Sequence, residues 1–163
     1  MTQAAVNIVV RQAERRDAEG LADLVRGLAT FEGKADVSHI TVEAVTAWTF
    51  GPEPACEILL AERDGRTIGY LAFYRAFSLF KGGPVLLVEN VYVAEAARRQ
   101  GVGRRLIGAA AREAERRGFP RIELHVRDDN RDTRAFYEGL GFHAPGEAVY
   151  RIEDDALRTL AGD

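Results

Sequence analysis

The chain has little of what several common chemistries need. Cysteine occurs once, at Cys56. No disulfide can therefore close within the chain, and a reducing compartment is expected. Histidine occurs only at His39, His125 and His143. No cluster of Cys, His and carboxylates has metal-ligand spacing, so no metal is expected. An apolar run of about 18 residues, the minimum for a membrane span, is missing. The opening MTQAAVNIVVRQ lacks the basic flank and long apolar stretch of a signal peptide. A cytoplasmic protein without a membrane partner is the expectation. Lysine occurs only at Lys34 and Lys81, arginine carrying nearly all the positive charge, and no physical argument demands that bias. The net charge of −3 argues against nucleic-acid binding over the whole surface. The basic run AAAREAERRG alternates acids with arginines and reads as a solvated helix face, so no nucleic-acid partner is expected.

What is present suits one enzyme-sized domain over residues 1–163, with 47 % apolar residues for a core. Asn7 to Arg11 reads as a strand. Asp17 offers a helix N-cap before Leu21, Leu24, Val25, Leu28 and Phe31, which recur at helical spacing up to Gly33. Thr41 can cap a second helix carrying Val42, Val45 and Trp48 and ending near Gly51 and Pro52. Two β-rich runs flank Asp64-Gly65, a hairpin signal. GGPVLLVENVYV is a further strand, followed by a helix striped with Leu106, Ile107, Ala110 and Ala114 and closed by Gly118. RIELHV alternates with Ile122, Leu124 and Val126 on one face. A helix from about Arg131 to Leu140 follows, closed by Gly141. AVYRIE reads as a last strand before a short helical tail. The order β-α-α-β-β-β-α-β-α-β predicts an α/β (α+β) fold: a mixed sheet with helices packed on its faces.

One stretch needs a special explanation. RRQGVGRR, Arg98 to Arg105, places arginines at the start of a helix, where they oppose its dipole. An anion would offset that cost. A phosphate loop of the Walker type needs a Lys followed by Ser or Thr, which this stretch lacks. A dinucleotide fingerprint fails because Leu106 stands where its third glycine belongs. The pattern that fits is Arg98-x-x-Gly101-x-Gly103 leading into a helix. Glycines let main-chain N–H groups approach an anion closely, and the helix start presents unsatisfied donors. Arg98, Arg99 and Arg104 can add charge, and a pyrophosphate is the natural occupant. The plainer alternative is a glycine-rich turn before a solvated basic helix start.

Two residues could carry chemistry. Glu89 lies among valines and leucines in VLLVENVYV and by alternation shares a face with Leu87 and Val91. A buried carboxylate must be paired, neutral or lining a wet cleft, and burial raises its pKa toward that of a general base. A carboxylate satisfied by a neighbouring arginine is the plainer reading. Tyr137 is the second candidate. A neutral phenol can hydrogen-bond to a departing thiolate and protonate it. The alternative is a core aromatic beside Phe136. Cys56, His39, His125 and His143 take ordinary structural or surface readings; a covalent intermediate at Cys56 is the lesser one.

The loop, the strand before it and NRDTRAFYEGLGF (Asn130 to Phe142) together resemble the GNAT superfamily of N-acetyltransferases over nearly the whole chain. That resemblance implies a mixed, mostly antiparallel sheet of about six to seven strands with helices on both faces. It implies acetyl-CoA as co-substrate, its pyrophosphate on the main chain of Arg98, Arg99, Gln100, Gly101, Val102, Gly103 and Arg104. The fourth strand splays from the fifth in this family, so the main chain of Val91, Tyr92 and Val93 would line the pantetheine arm. A backbone N–H near Val91 would stabilise an oxyanion, and Asn130 would contact the coenzyme. The tyrosine of the family's FY pair, the general acid at sulfur, falls on Tyr137.

Within the superfamily, LATFEG and LFKGGPVLLVENVYV look most like the diamine (spermidine/spermine or thialysine) branch. That likeness implies Glu89 as base, Glu32 as an anchor for the amine, and a homodimer. The chain departs from the branch at Ser78 and Leu79, ahead of Phe80, where an acid is common. A long polycation loses an anchor there. The expected reaction is acetyl transfer from acetyl-CoA to a primary amine of a small molecule (diamine, polyamine or lysine-like amino acid), by direct attack in a ternary complex. Acetylation of protein N-termini or lysines, or silent binding of acyl-CoA, are the alternatives; Glu89 and Tyr137 together favour an enzyme, because a binder needs only the loop.

Overall fold

The computed structural model describes residues 7–162. They fall into two compact units, one running to His125 and one starting at Val126, taken here in turn.

The first unit is built on a five-stranded sheet whose spatial order follows the chain: β1 (Ile8–Gln12), β2 (Glu57–Arg63), β3 (Arg66–Ser78), β4 (Gly83–Val93) and β5 (Ile122–Leu124). The first four pair antiparallel; β5 joins β4 in parallel. Asp64 and Gly65 both take positive φ, the two-residue turn that matches strand twist and closes the β2–β3 hairpin.

Alternation along β2 and β3 sends successive side chains to opposite faces. Ile58, Leu60, Tyr70 and Ala72 form one cluster with Ala18, Leu21, Ala22 and Leu24 of α1 (Ala18–Phe31) and Val45 of α2 (Val42–Phe50). Leu59, Leu71 and Phe73 face the other way. On that side lies α3 (Val102–Arg116), whose buried stripe is Val102, Leu106, Ile107, Ala110 and Ala114. The expected helices on both faces are thus present within this unit.

Local details differ from the sequence-based expectation. Thr41 caps α2 as predicted, its Oγ1 accepting from the Ala44 N–H at 3.0 Å. Asp17 stands at the N-cap of α1 but does not cap it. Its carboxylate instead takes the Glu14 N–H (2.7 Å) and both Arg11 Nη groups (2.7 and 2.8 Å). Charge-assisted hydrogen bonds to arginine outcompete a capping bond. Arg11 also holds Glu62, so it ties β1 to β2 and to the turn before α1. RIELHV pairs only over Ile122–Leu124; Val126 lies outside the strand.

A second knot anchors the far end of α3. Arg117 meets both Glu57 oxygens at 2.5 Å, donates through Nε to Glu113, and stacks 5.6 Å from the Phe73 ring centroid. Arg116 and Arg117 hold the Glu113 carboxyl down to about 2, and Arg117 lowers that of Glu57.

In the second unit, Asn130 caps α4 (Arg131–Glu138), its side-chain oxygen accepting from the Thr133 N–H at 3.2 Å. The Phe142 N–H returns to the Tyr137 carbonyl at 3.1 Å past a left-handed Gly141. The expected final strand AVYRIE does not form: residues 148–153 carry no strand, and α5 (Asp154–Ala161) follows. Alternating side chains alone do not make a strand; its N–H and C=O groups need a neighbouring ladder, and none pairs with this segment among the described residues. Among the described residues the count is therefore five strands, not six or seven. No helix among the described residues is long and apolar enough to cross a membrane.

Replacing Arg117 by Met should lower stability by about 1.5–3 kcal/mol in urea titrations at neutral pH, the range for hydrogen bonds to charged groups. Both carboxyls sit below their ordinary values when folded. Their stabilisation is therefore full above the unfolded pKa of 4.5 and is lost as pH falls toward the folded value of about 2 for Glu113. The gap between wild type and variant should close across that window.

Candidate active site

The sheet opens at β4. Its pairing with β5 covers only Leu86, Leu87 and Val88, opposite Ile122, Glu123 and Leu124. From Asn90 to Val93, β4 keeps its β3 partner on one side and has no β5 partner on the other. The main chain of Val91, Tyr92 and Val93 thus borders an unpaired strand edge, which can donate to or accept from a bound group.

At the same place β4 carries one residue too many. Ala72 pairs with Asn90, but the next β3 residue, Phe73, pairs with Val88. Glu89 is the extra residue of a β-bulge, which interrupts alternation. Leu87, opposite Tyr74, and Val91, opposite Leu71, consequently lie on opposite faces, contrary to the simple alternation expected for them. Glu89 is also exposed, not buried. The hydrophobic flanks of the segment misled because a bulge frees the residue it inserts. Its charge acts on Tyr70 and Cys56, which belong to the α1 side of the sheet.

Glu32 approaches the same tyrosine from another element. It is the exposed residue that ends α1, with its carboxylate 2.8 Å from Lys34 Nζ. Burial drives the Tyr70 hydroxyl well above the usual tyrosine range, and the charges of Glu32 and Glu89 push the same way. Tyr70 is 0 % exposed, and its hydroxyl has no hydrogen-bond partner. Sequence reasoning passed over Tyr70, which reads as one more aromatic in a strand; only an orphaned oxygen in the fold singles it out. Cys56, near Glu89, is half-buried; burial raises its thiol pKa, with Glu89 and Glu57 adding to the shift.

The glycine loop follows β4. Gly101, at φ 79°, is the left-handed N-cap of α3 and supplies no side-chain cap. Space around it is open: a Cβ there would meet nothing within 4 Å. The first intrahelical bond runs from the Arg105 N–H to the Gly101 carbonyl at 3.0 Å. The N–H groups of Val102, Gly103 and Arg104 are therefore left without helical acceptors. No acidic residue lies in this first turn. Arg99 and Arg104 are exposed and make no ion pair among the described residues. Arg99 is itself left-handed (φ 61°), which costs a non-glycine residue about 1–2 kcal/mol. Such strain commonly persists where function needs the backbone shape.

Two other loop side chains are committed elsewhere. Arg98 stacks on Phe31 at 4.3 Å and faces Tyr92 at 5.7 Å, and its Nε donates to the Val93 carbonyl at 3.0 Å. Its main-chain N–H also goes to the Glu95 carbonyl. Arg98 is thus the loop arginine least free to meet an anion. Gln100 accepts from Arg63 Nη1 (2.6 Å) and donates to the Ala96 carbonyl (3.0 Å). What the loop offers an anion is a helix start with exposed arginines around it, and a diphosphate fits that donor set.

In the second unit, Tyr137 is 9 % exposed and lies edge-on between Phe136 (centroids 5.1 Å) and Phe142 (5.5 Å). Burial pushes its phenol up to about 12. Its hydroxyl has no hydrogen-bond partner among the described residues, so it is a neutral donor at physiological pH. Asn130 spends its side-chain oxygen on the α4 cap, leaving its NH2 available.

A model of the acetyltransferase (GNAT) family matches residues 23–142. The chain belongs to the GNAT acetyltransferase family. Members of this family take the acetyl group from acetyl-CoA, and this acetyltransferase is an acetyl-CoA-dependent N-acetyltransferase. It is 32 % identical to the thialysine N-epsilon-acetyltransferase of Bos taurus, over 95 % of this chain and 98 % of that protein. It is 30 % identical to the enzyme of that name from Sus scrofa, over 96 % and 98 %. An integron cassette protein from the mobile metagenome of V. cholerae superposes with a TM-score of 0.82 at 16 % identity, covering 99 % of this chain and 100 % of the other. Aminoglycoside N-acetyltransferase AAC(6')-Iy, solved in complex with CoA, gives a TM-score of 0.76 at 18 % identity, covering 94 % and 99 %. The two structural likenesses concern the fold alone.

Gly101→Val introduces a β-branched residue at a left-handed position, in the space before the free amides. We expect the affinity for CoA, measured by calorimetry, to fall about tenfold or more, since 1.4 kcal/mol is a factor of ten and the conformation alone costs that much.

Proposed function

We propose that this acetyltransferase acetylates a terminal primary amine of a small molecule, a diamine or a lysine-like amino acid, by direct attack in a ternary complex. Two carboxylates on separate elements, Glu32 after α1 and Glu89 in the β4 bulge, whose charges both bear on Tyr70, carry this reading. Such a pair favours a cation. The relatives named for thialysine N-epsilon-acetylation point to the same acceptor class. The loss of an acid near Phe80 favours a short amine over a long polycation.

The roles follow from the chemistry. The main-chain amides of Val102, Gly103 and Arg104 hold the diphosphate, with Arg99 and Arg104 adding charge. The open edge of β4 from Val91 to Val93 holds the pantetheine arm through main-chain hydrogen bonds. An alkylamine with a pKa near that of lysine, about 10.4, is neutral in only about one molecule in 10³ at pH 7. Glu89, exposed at the bulge, accepts the proton that the ammonium must lose before attack. Main-chain N–H near Val91 stabilises negative charge developing on the thioester oxygen. Tyr137 donates its proton to the departing sulfur as the C–S bond breaks, and the proton that the amide nitrogen then sheds restores the phenol. Its pKa of about 12 keeps the phenol protonated until a thiolate, ordinarily near 8.5, develops and needs a partner. Asn130 contributes its free NH2 to the coenzyme.

The test is thiol release from acetyl-CoA across a panel of short diamines and lysine analogues. Release with none of them would sink the reading. Tyr137→Phe should lower kcat about 10²–10⁴-fold, the usual contribution of a general acid, and leave CoA affinity within about twofold. Glu89→Gln should lower kcat at pH 7 by up to about 10³-fold, the neutral-amine deficit above. That loss should shrink as pH rises toward the amine's own pKa, where the base is no longer needed.

A further inference from the structure

The proposed chemistry leaves one polar group unused. Tyr70 is wholly buried, and its hydroxyl is the single buried side-chain oxygen or nitrogen without a partner among the described residues. Leaving such a group unsatisfied costs about 1–3 kcal/mol. Phenylalanine would fill the same volume without that cost. The surroundings are specific as well. Tyr70 lies across from Tyr92 on β4, ring centroids 6.4 Å apart, and two residues before Ala72, which faces Asn90 beside the bulge. Cys56 and Tyr92 pack on the same cluster. The carboxylates of Glu32 and Glu89 both act on this hydroxyl. A neutral donor and acceptor thus lies in the field of two carboxylates, on the face where the amine is placed by the proposed function, on which this inference rests.

We propose that the Tyr70 hydroxyl is a binding group for the acceptor: its oxygen accepts an N–H of the amine held between Glu32 and Glu89. Carboxylates attract the ammonium from solvent but do not fix its orientation. Once Glu89 has taken a proton, the neutral amine keeps its lone pair for the thioester carbon and two N–H groups for partners. A neutral oxygen binds the amine after that proton has left, when attraction to charge has faded. The oxygen is shut off from bulk solvent in this structure, so an amine reaches it only as surrounding side chains part, and is then held out of water.

The test compares wild type with Tyr70→Phe using acetyl-CoA and two probes, ethylenediamine and thialysine. The KM for the amine should rise about three- to tenfold, the worth of one neutral hydrogen bond, while the KM for acetyl-CoA stays unchanged. The melting temperature without acceptor should be equal or higher, because the variant removes an unsatisfied group. A wild-type amine KM in the variant overturns the inference and leaves the proposed function standing. So does a lower melting temperature with both KM values raised together, which marks a hydroxyl bonded within the fold. A wild type inactive with every amine overturns the proposed function and this inference with it.

Discussion

The extra residue in β4 governs the geometry around it. From Leu86 to Val88 the strand is paired on both sides. At Glu89 the bulge shifts the register against β3, and the ladder with β5 stops at the same step. Two consequences arise together. A carboxylate that alternation would place in a packed strand is released to the surface. The main chain after it gains an unpaired edge, which would be unfavourable in a closed sheet and becomes useful where a ligand supplies the missing partners. A regular strand would keep the carboxylate in alternation, so the bulge is what frees it, as bulges near functional sites commonly re-aim a side chain.

The glycine loop shows a division of labour between main chain and side chain. Arg98 links Phe31 at the end of α1 to Tyr92 and the Val93 carbonyl at the end of β4. Tyr92 in turn leans so closely on α1 that a Cβ at Gly27 would lie 2.8 Å from its hydroxyl. Cation–π contacts are worth about 0.5–2 kcal/mol each, enough to hold a loop but small against a doubly charged ligand. Arg98 therefore sets where the loop runs, and the amides of α3 with the exposed Arg99 and Arg104 are left for the proposed diphosphate. The same stack places Glu32, next to Phe31, at a fixed end of its helix. One guanidinium thus joins the two sides that the proposed function assigns to acceptor and coenzyme.

Local signals were readable wherever the chemistry is local. The Asp64-Gly65 turn, the Thr41 cap, the Asn130 cap and the helix opened by Gly101 all depend on residues within a few positions of each other. The family likeness, carried by the loop and the Asn130–Phe142 segment, agrees with the matched family model. What failed depends on distant partners. AVYRIE alternates but finds no ladder. Asp17 can cap, yet Arg11 offers it stronger bonds. Glu89 has hydrophobic neighbours, and whether it is buried is decided by the register of β3 against β4. Tyr70 could not be found from sequence at all, since an orphaned hydroxyl is defined by everything that does not reach it.

The charges around Tyr70 also discriminate between two routes for acetyl transfer. A cysteine relay through Cys56 needs a thiolate, and its thiol is raised above its ordinary pKa, first by burial and further by Glu89 and Glu57, outweighing the contact with Thr49 at 3.8 Å. A nucleophile held protonated in this way is a poor attacking group. Glu89 is the charge common to both groups: it bears on the Cys56 thiol and on Tyr70. In the proposed function the same carboxylate serves the amine. One residue thus disfavours the covalent route and favours the proposed direct attack, because moving Glu89 to help the thiol would remove it from the amine.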